Sequence, residues 1–209
     1  NGFWESIMNK LNPASSQQTV VNDEYYKTTR FNVGGNTNTI FSKYVEWQNY
    51  SNFNYFSRNI EFYNQDLIAG NQTYLRNVTE RIYNLFGRSQ IKHEIPSKNL
   101  NLLYGADYNM DIGSSQKLDT NVKAIRDLSL FVMANYKFSE KLLMQPGLRY
   151  SINNVSSTPI SATFNFRYEL SKHFSSRVAF SRGYRIPELK ELYFTFIDIN
   201  HNITGNPNL

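Results

Sequence analysis

Between Tyr184 and Leu209 the chain reads YRIPELKELYFTFIDINHNITGNPNL, its densest group of residues able to do chemistry. Glu188, Glu191, Asp198 and His201 are the types that bind metals or move protons. Asp198 and His201 lie three apart, but no Gly-x-Ser-x-Gly elbow or third partner accompanies them, so a nucleophilic triad is not indicated. The four residues match no zinc spacing. No Gly-rich phosphate loop occurs, and without cysteine there is no disulfide, thiolate ligand or thiol nucleophile. No catalytic residue and no metal site is assigned, and the chain does not read as an enzyme. The stretch offers recognition instead. His201 can present a neutral imidazole, while Tyr193, Phe194 and Phe196 either stack on a flat apolar ligand or pack beneath their own loop.

The flanking residues read as support. Pro187 fixes φ and removes a ladder donor, so it is expected to end a strand, with Ile186 held extended before it. Arg185 is placed to pair with Glu188 or Glu191 and anchor the loop. Asn206-Pro207-Asn208, just before Leu209, is turn chemistry. His93 and His173 fall beside short turns and carry no assignment. The Asn-x-Ser/Thr matches at Asn71, Asn77 and Asn202 follow from abundant asparagine.

The elements that deliver this stretch are strands. Leu100, Leu102, Tyr104, Ala106, Tyr108, Met110 and Ile112 occupy every second position of one run. Leu128 to Phe138, Leu142 to Tyr150, Ile160 to Leu170 and Phe174 to Phe180 repeat the pattern, with Ser176 the polar exception. Alternate strand residues share a face, so each run has one apolar side. The opposite side carries Asp107, Asp111, Arg149, Arg167, Glu169 and Arg177 among others, and within these strand bodies every charge lies there. Leu103, Phe131, Met133 and Leu143 are apolar residues on that polar side.

Such alternation suits a soluble sandwich or a membrane barrel with lipid outside and a wet lumen within. Soluble strands average about five or six residues, and spanning strands need about nine to eleven. The runs from Leu100 to Leu170 are about nine to thirteen residues long, which favours the barrel. Connections alternate in the same sense. Ile95–Lys98, Ser139–Lys141 and Ser171–His173 are short, as periplasmic turns are; 66–80, 113–126, 151–159 and the stretch after Tyr184 are long, as extracellular loops are. No 18-residue apolar run supplies a spanning helix. A closed barrel is the other way to satisfy every backbone group in lipid.

Before residue 80 the pattern is looser. Strands are expected near Glu24–Val33 and Asn38–Trp47, turning at Gly34-Gly35-Asn36, then at Asn54–Gln65, with a loop over Leu67–Arg76. The total is about nine strands, an odd number that does not close a bacterial barrel. The whole chain, 1–209, therefore reads as a segment of one all-β antiparallel transmembrane barrel, with 185–209 an extracellular loop. Its start NGFWES has neither an initiator Met nor a leader pattern, as expected of a processed or internal piece. A formal charge of +5 is spread without any basic run, so no nucleic-acid partner is indicated.

The closing stretch adds a resemblance. FSRGYRIPELKELY followed by DINHNITGNPNL resembles the paired boxes of TonB-dependent outer-membrane receptors: Tyr184-Arg185-Ile186-Pro187, with Ile where Ala is usual, and Asn206-Pro207-Asn208-Leu209. The run Leu102-Leu103-Tyr104-Gly105-Ala106-Asp107-Tyr108 is similar to a barrel strand of the same family. The resemblance implies a 22-stranded barrel in a Gram-negative outer membrane, with a plug domain inside it and energy from TonB, both outside this chain. It implies import of haem, cobalamin or an iron-siderophore, with haem or corrin as cargo rather than covalent cofactor. His201 then corresponds to a haem-ligating position in some members, and the lumen charges would salt-bridge a plug. A surface lipoprotein is a further expected partner. The alternatives are a small non-transporting outer-membrane barrel acting as adhesin or structural protein, and a soluble β-sandwich.

Overall fold

The protein is described by a computed structural model covering residues 2–10, 19–118, 122–197 and 202–209. Nine strands form one antiparallel sheet in chain order: β1 (Gly2–Lys10), β2 (Val20–Ser42), β3 (Val45–Asp66), β4 (Gln72–Ile95), β5 (Leu100–Ser114), β6 (Lys123–Lys137), β7 (Leu142–Asn153), β8 (Ser161–Ser171) and β9 (Phe174–Arg182). Each pairs with its sequence neighbours, so β1 and β9 are the two edges and the sheet is not closed within the described residues. The number of strands matches the expected nine but not strand by strand: Gly2–Lys10 is a strand the sequence did not suggest, and the two strands expected around Gly34 are largely one, β2. The short and long connections alternate along the chain.

The register carries the apolar alternation across the sheet. Leu100, Tyr136, Met144, Phe166 and Val178 form one cross-strand row on one face. Phe31, Tyr55, Tyr83 and Ile112 form another on the same face. The side chains of this face stand uncovered, Leu130 being 58% and Leu148 54% exposed. Contiguous exposed leucine, valine and aromatic surface on this scale is the pattern of a barrel wall's outward face.

The limits of that apolar face are visible on the long strands. From Val45 to Tyr55 of β3, and over the paired parts of β2 and β4, the outward positions carry no Lys, Arg, Asp or Glu. Eleven strand residues match a tilted bilayer crossing. One row further along lie Thr29, Ser57 and Arg81, and beyond them Lys27 pairs with Glu61 at 2.7 Å. The far halves of β2, β3 and β4 thus project past the apolar band as a three-stranded tongue.

Two expectations before residue 80 are corrected. Gly34-Gly35-Asn36 does not turn; β2 runs straight through it, and the hairpin turns at Lys43-Tyr44. The backbone of this stretch pairs with β3, Gly34 with Asn52, Gly35 with Ser51 and Asn36 with Tyr50, and flanking side chains bond across the wall. Asn32 donates to Asn52 at 3.2 Å, and Asn49 donates to Thr37 at 3.3 Å. Likewise the loop expected over Leu67–Arg76 shrinks to residues 67–71, because β4 already starts at Gln72. Asp66 closes that turn by accepting the N–H groups of Ile68 (2.8 Å) and Ala69 (3.0 Å), and Gly70 takes the left-handed φ of +70°.

Candidate functional site at the mouth and inner wall

The stretch after β9 folds onto the mouth of the sheet. The strand ends at Arg182, five residues before Pro187, so proline is not what terminates it. Pro187 instead precedes Glu188, the N-cap of α1 (Leu189–Tyr193). The Glu191 carboxylate accepts the Glu188 N–H at 2.8 Å, one arm of a capping box. It also receives both guanidinium nitrogens of Arg185, at 2.9 and 2.6 Å, while Glu188 lies 4.0 Å away. The Arg185 fork and the Glu188 N–H hold the Glu191 carboxyl below its ordinary value.

Leu189, Leu192 and Tyr193 follow an i, i+3, i+4 spacing and share one helix face. Leu189 and Leu192 are buried with Ile125 at the start of β6, and Val155, Ile186 and Tyr193 close the cluster. Phe194 leads into β10 (Thr195–Ile197), which pairs with β11 (Asn202–Thr204). The chain then returns to the helix. Gly205 donates its N–H to Phe194 at 2.7 Å, and Asn206 to the Glu191 carbonyl at 2.8 Å. A Cβ at Gly205 would stand 2.7 Å from the backbone of Leu192 and Tyr193, so glycine is required there by contact. Asn206 accepts the Asn208 N–H at 3.0 Å, giving the turn expected for Asn-Pro-Asn, with Leu209 exposed beyond it. Tyr184 hydrogen-bonds Ser156 of the β7–β8 loop. Residues 185–197 and 202–209 thus form a cover docked on the start of β6 and the β7–β8 loop.

The three rings are distributed rather than gathered. Tyr193 belongs to the buried cluster, with the Lys123 ammonium 5.0 Å from its ring. Phe194 and Phe196 form a tilted pair at 6.2 Å, and Lys117 sits 5.0 Å from the Phe196 ring. His201 and Asp198 lie outside the described residues.

Below the cover, the inner wall is polar and internally bonded. Asp107, 2% exposed, takes Arg88 Nε at 2.6 Å and Nη2 at 2.9 Å, and Arg149 Nη1 at 2.7 Å. Asp111 accepts Asn84 at 2.7 Å and Asn109 at 3.0 Å, and Asn84 itself accepts Asn54 at 3.0 Å. Arg167 pairs with Glu169 at 2.7 Å. Arg177 stands directly across from Arg167 on β9. Five of the six lumen charges singled out from sequence therefore meet partners within the wall itself, while Arg177 faces a like charge. Arg88 was missed there; its signal was the register, since Arg88 lies directly across β4–β5 from Asp107.

A family model described as TonB dependent receptor-like, beta-barrel matches residues 5–209. No curated protein matches the chain.

Proposed function

Since the chain belongs to the TonB-dependent receptor-like β-barrel family, whose members are outer-membrane receptors and transporters, we propose that it is barrel wall of a receptor importing a scarce nutrient. On this reading the complete barrel has 22 strands in a Gram-negative outer membrane, holds a plug domain and draws energy from TonB. A surface lipoprotein is a further partner. The cargo is haem, cobalamin or an iron-siderophore, carried as a guest and not as a covalent cofactor. The observation that carries the reading is the pairing of an exposed apolar face with a hydrogen-bonded polar face on spanning-length strands.

The cover over the mouth supports the receptor role. Its helix is docked by three buried apolar residues and clamped by Gly205, which holds Phe194 and Phe196 at the end of the sheet that this reading takes as extracellular. Phe194 and Phe196 supply ring surface, and His201 an imidazole for haem iron. The experiment is isolation of the full-length protein from its own outer membrane, followed by visible spectroscopy and an energy-dependent uptake assay. The reading expects a bound haem, corrin or ferric chromophore, or uptake that stops when TonB is removed. A colourless protein with no energy-dependent uptake of any of the three cargoes contradicts it. If haem binds and His201→Ala leaves its affinity unchanged, the axial-ligand role fails alone.

A further inference from the structure

Above the apolar band, the inner face of the β2–β4 tongue carries arginines interleaved with rings. Arg30 lies directly across from Phe56, and Phe62 directly across from Arg76. The guanidinium carbons of Arg30 and Arg58 stand 5.4 and 5.3 Å from the centre of the same Phe56 ring. Arg58 is also 5.7 Å from the Tyr26 ring, and Arg76 is 4.8 Å from that of Phe62. The floor between them is closed, with Thr28 at 2%, Ile60 at 6% and Val78 at 6% exposure.

These cations are not neutralised by the wall. Three carboxylates share this face, and Asp66 at its tip is taken up by the Ile68 and Ala69 N–H groups. Glu80, directly across from Arg58, is turned to Ser115 Oγ at 3.3 Å, and Glu24 takes the Tyr26 hydroxyl. Among the described residues no carboxylate lies within ion-pair distance of Arg30, Arg58 or Arg76. The Nε of Arg58 is buried without an acceptor. Two like charges drawn onto one ring, with a buried donor unmet, is an arrangement completed by an oxyanion. Guanidinium forks match carboxylate, sulfonate and phosphate groups, and the flanking rings accept a flat body. Because the arginines face inward, anionic lipid on the outer face cannot reach them.

We propose that the inner face of the β2–β4 tongue binds a small polyanion with a flat body, its oxyanions held by Arg30, Arg58 and Arg76 and its body against Phe56 and Phe62. The inference rests on the import reading, which it deepens by giving the charge class of the cargo.

The test uses pyranine, a flat pyrene bearing three sulfonates, with the full-length protein in a non-ionic detergent. Dye anisotropy reports binding. Saturable binding should weaken as salt rises, and Arg30→Gln with Arg58→Gln should weaken it about tenfold or more. Arg58→Lys, which keeps charge and loses the fork, should fall between. Lys27→Gln, at the same height on the outward face, should change nothing. Heat-modifiable migration on gels certifies that each variant is folded. Dye affinity indifferent to the arginine substitutions, or equally lost in Lys27→Gln, overturns the proposal whatever uptake shows. Arginine-dependent dye binding in a protein without energy-coupled uptake keeps the anion site and removes the import reading.

Discussion

Arg88 grips Asp107 with two nitrogens from the strand directly alongside, at 2.6 and 2.9 Å, and Arg149 reaches the same carboxylate at 2.7 Å from two strands away. One buried carboxylate therefore ties β4, β5 and β7 together on the lumen side. Both arginines keep about two-fifths of their side-chain surface exposed, so solvent screens part of the attraction. Asp107→Asn should lower stability by about 1–3 kcal/mol, below the range for fully buried pairs. Paired with Arg88→Gln, the loss should be less than additive. Denaturant titration of the folded barrel checks both values.

The outward face makes a depth-dependent prediction. Val132→Arg, in the middle of the apolar band, should cost about 2–4 kcal/mol. Ser57→Arg should cost under about 1 kcal/mol, because Ser57 stands beside Arg81 where the face has turned polar. Unfolding titration of the two variants in lipid vesicles measures the difference.

Glycine contacts separate the cover from the hinge. Gly205→Ala forces a Cβ onto the α1 backbone and should free the loop, seen as faster proteolysis after α1 with an unchanged barrel. Gly183→Ala meets open space and should leave cleavage unaltered. Leu192→Ala, removing a side chain only 1% exposed, should act like Gly205→Ala, at a cost of about 2–5 kcal/mol to the docked state.

Acid should release the same cover. The Arg185 fork and the Glu188 N–H depress the Glu191 carboxyl from its ordinary value of 4.5. A group lowered in the folded state stabilises above its unfolded value and loses that contribution as pH falls through the folded one. Proteolytic protection of residues 185–197 should hold at neutral pH and decline below about pH 4.5. Glu191→Gln should begin less protected and show a smaller acid step.

Much of the wall was legible because lipid imposes a strict rule on strands. The alternation from Leu100 to Phe180 marked β5 to β9, their outward face and their polar lumen. The same rule relaxes above the bilayer, which hides the start of β4 at Gln72; within the band, outward Gly35, Thr37, Asn49 and Ser51 interrupt the apolar period of β2 and β3. On the tongue, Lys27 and Glu61 share the face that lower down is apolar, so the period no longer sorts residues by polarity. Gly34-Gly35-Asn36 matched turn chemistry, yet all three residues pair with β3, at Asn52, Ser51 and Tyr50, and stay in β2. The Arg185–Glu191 pair was within reach of spacing alone; the docking of Leu189 and Leu192 on Ile125 needed the fold. The arginine–aromatic interleaving was hidden until register placed Arg30 opposite Phe56 and Arg76 opposite Phe62.

The central claim is that these strands cross an outer membrane with the 67–71 turn and the α1 cover outside and the short turns within. This chain contains no cysteine, so once any cysteine elsewhere in the full-length protein is replaced, a single introduced thiol reports without background. Intact cells carrying Ala69→Cys, Lys190→Cys, Lys43→Cys or Lys172→Cys in the full-length protein would be treated with a membrane-impermeant maleimide. Labelling at positions 69 and 190, with 43 and 172 reacting only after the membrane is opened, is the expected result. Labelling of 43 and 172 on intact cells, or no labelling of 69 and 190, would contradict the account.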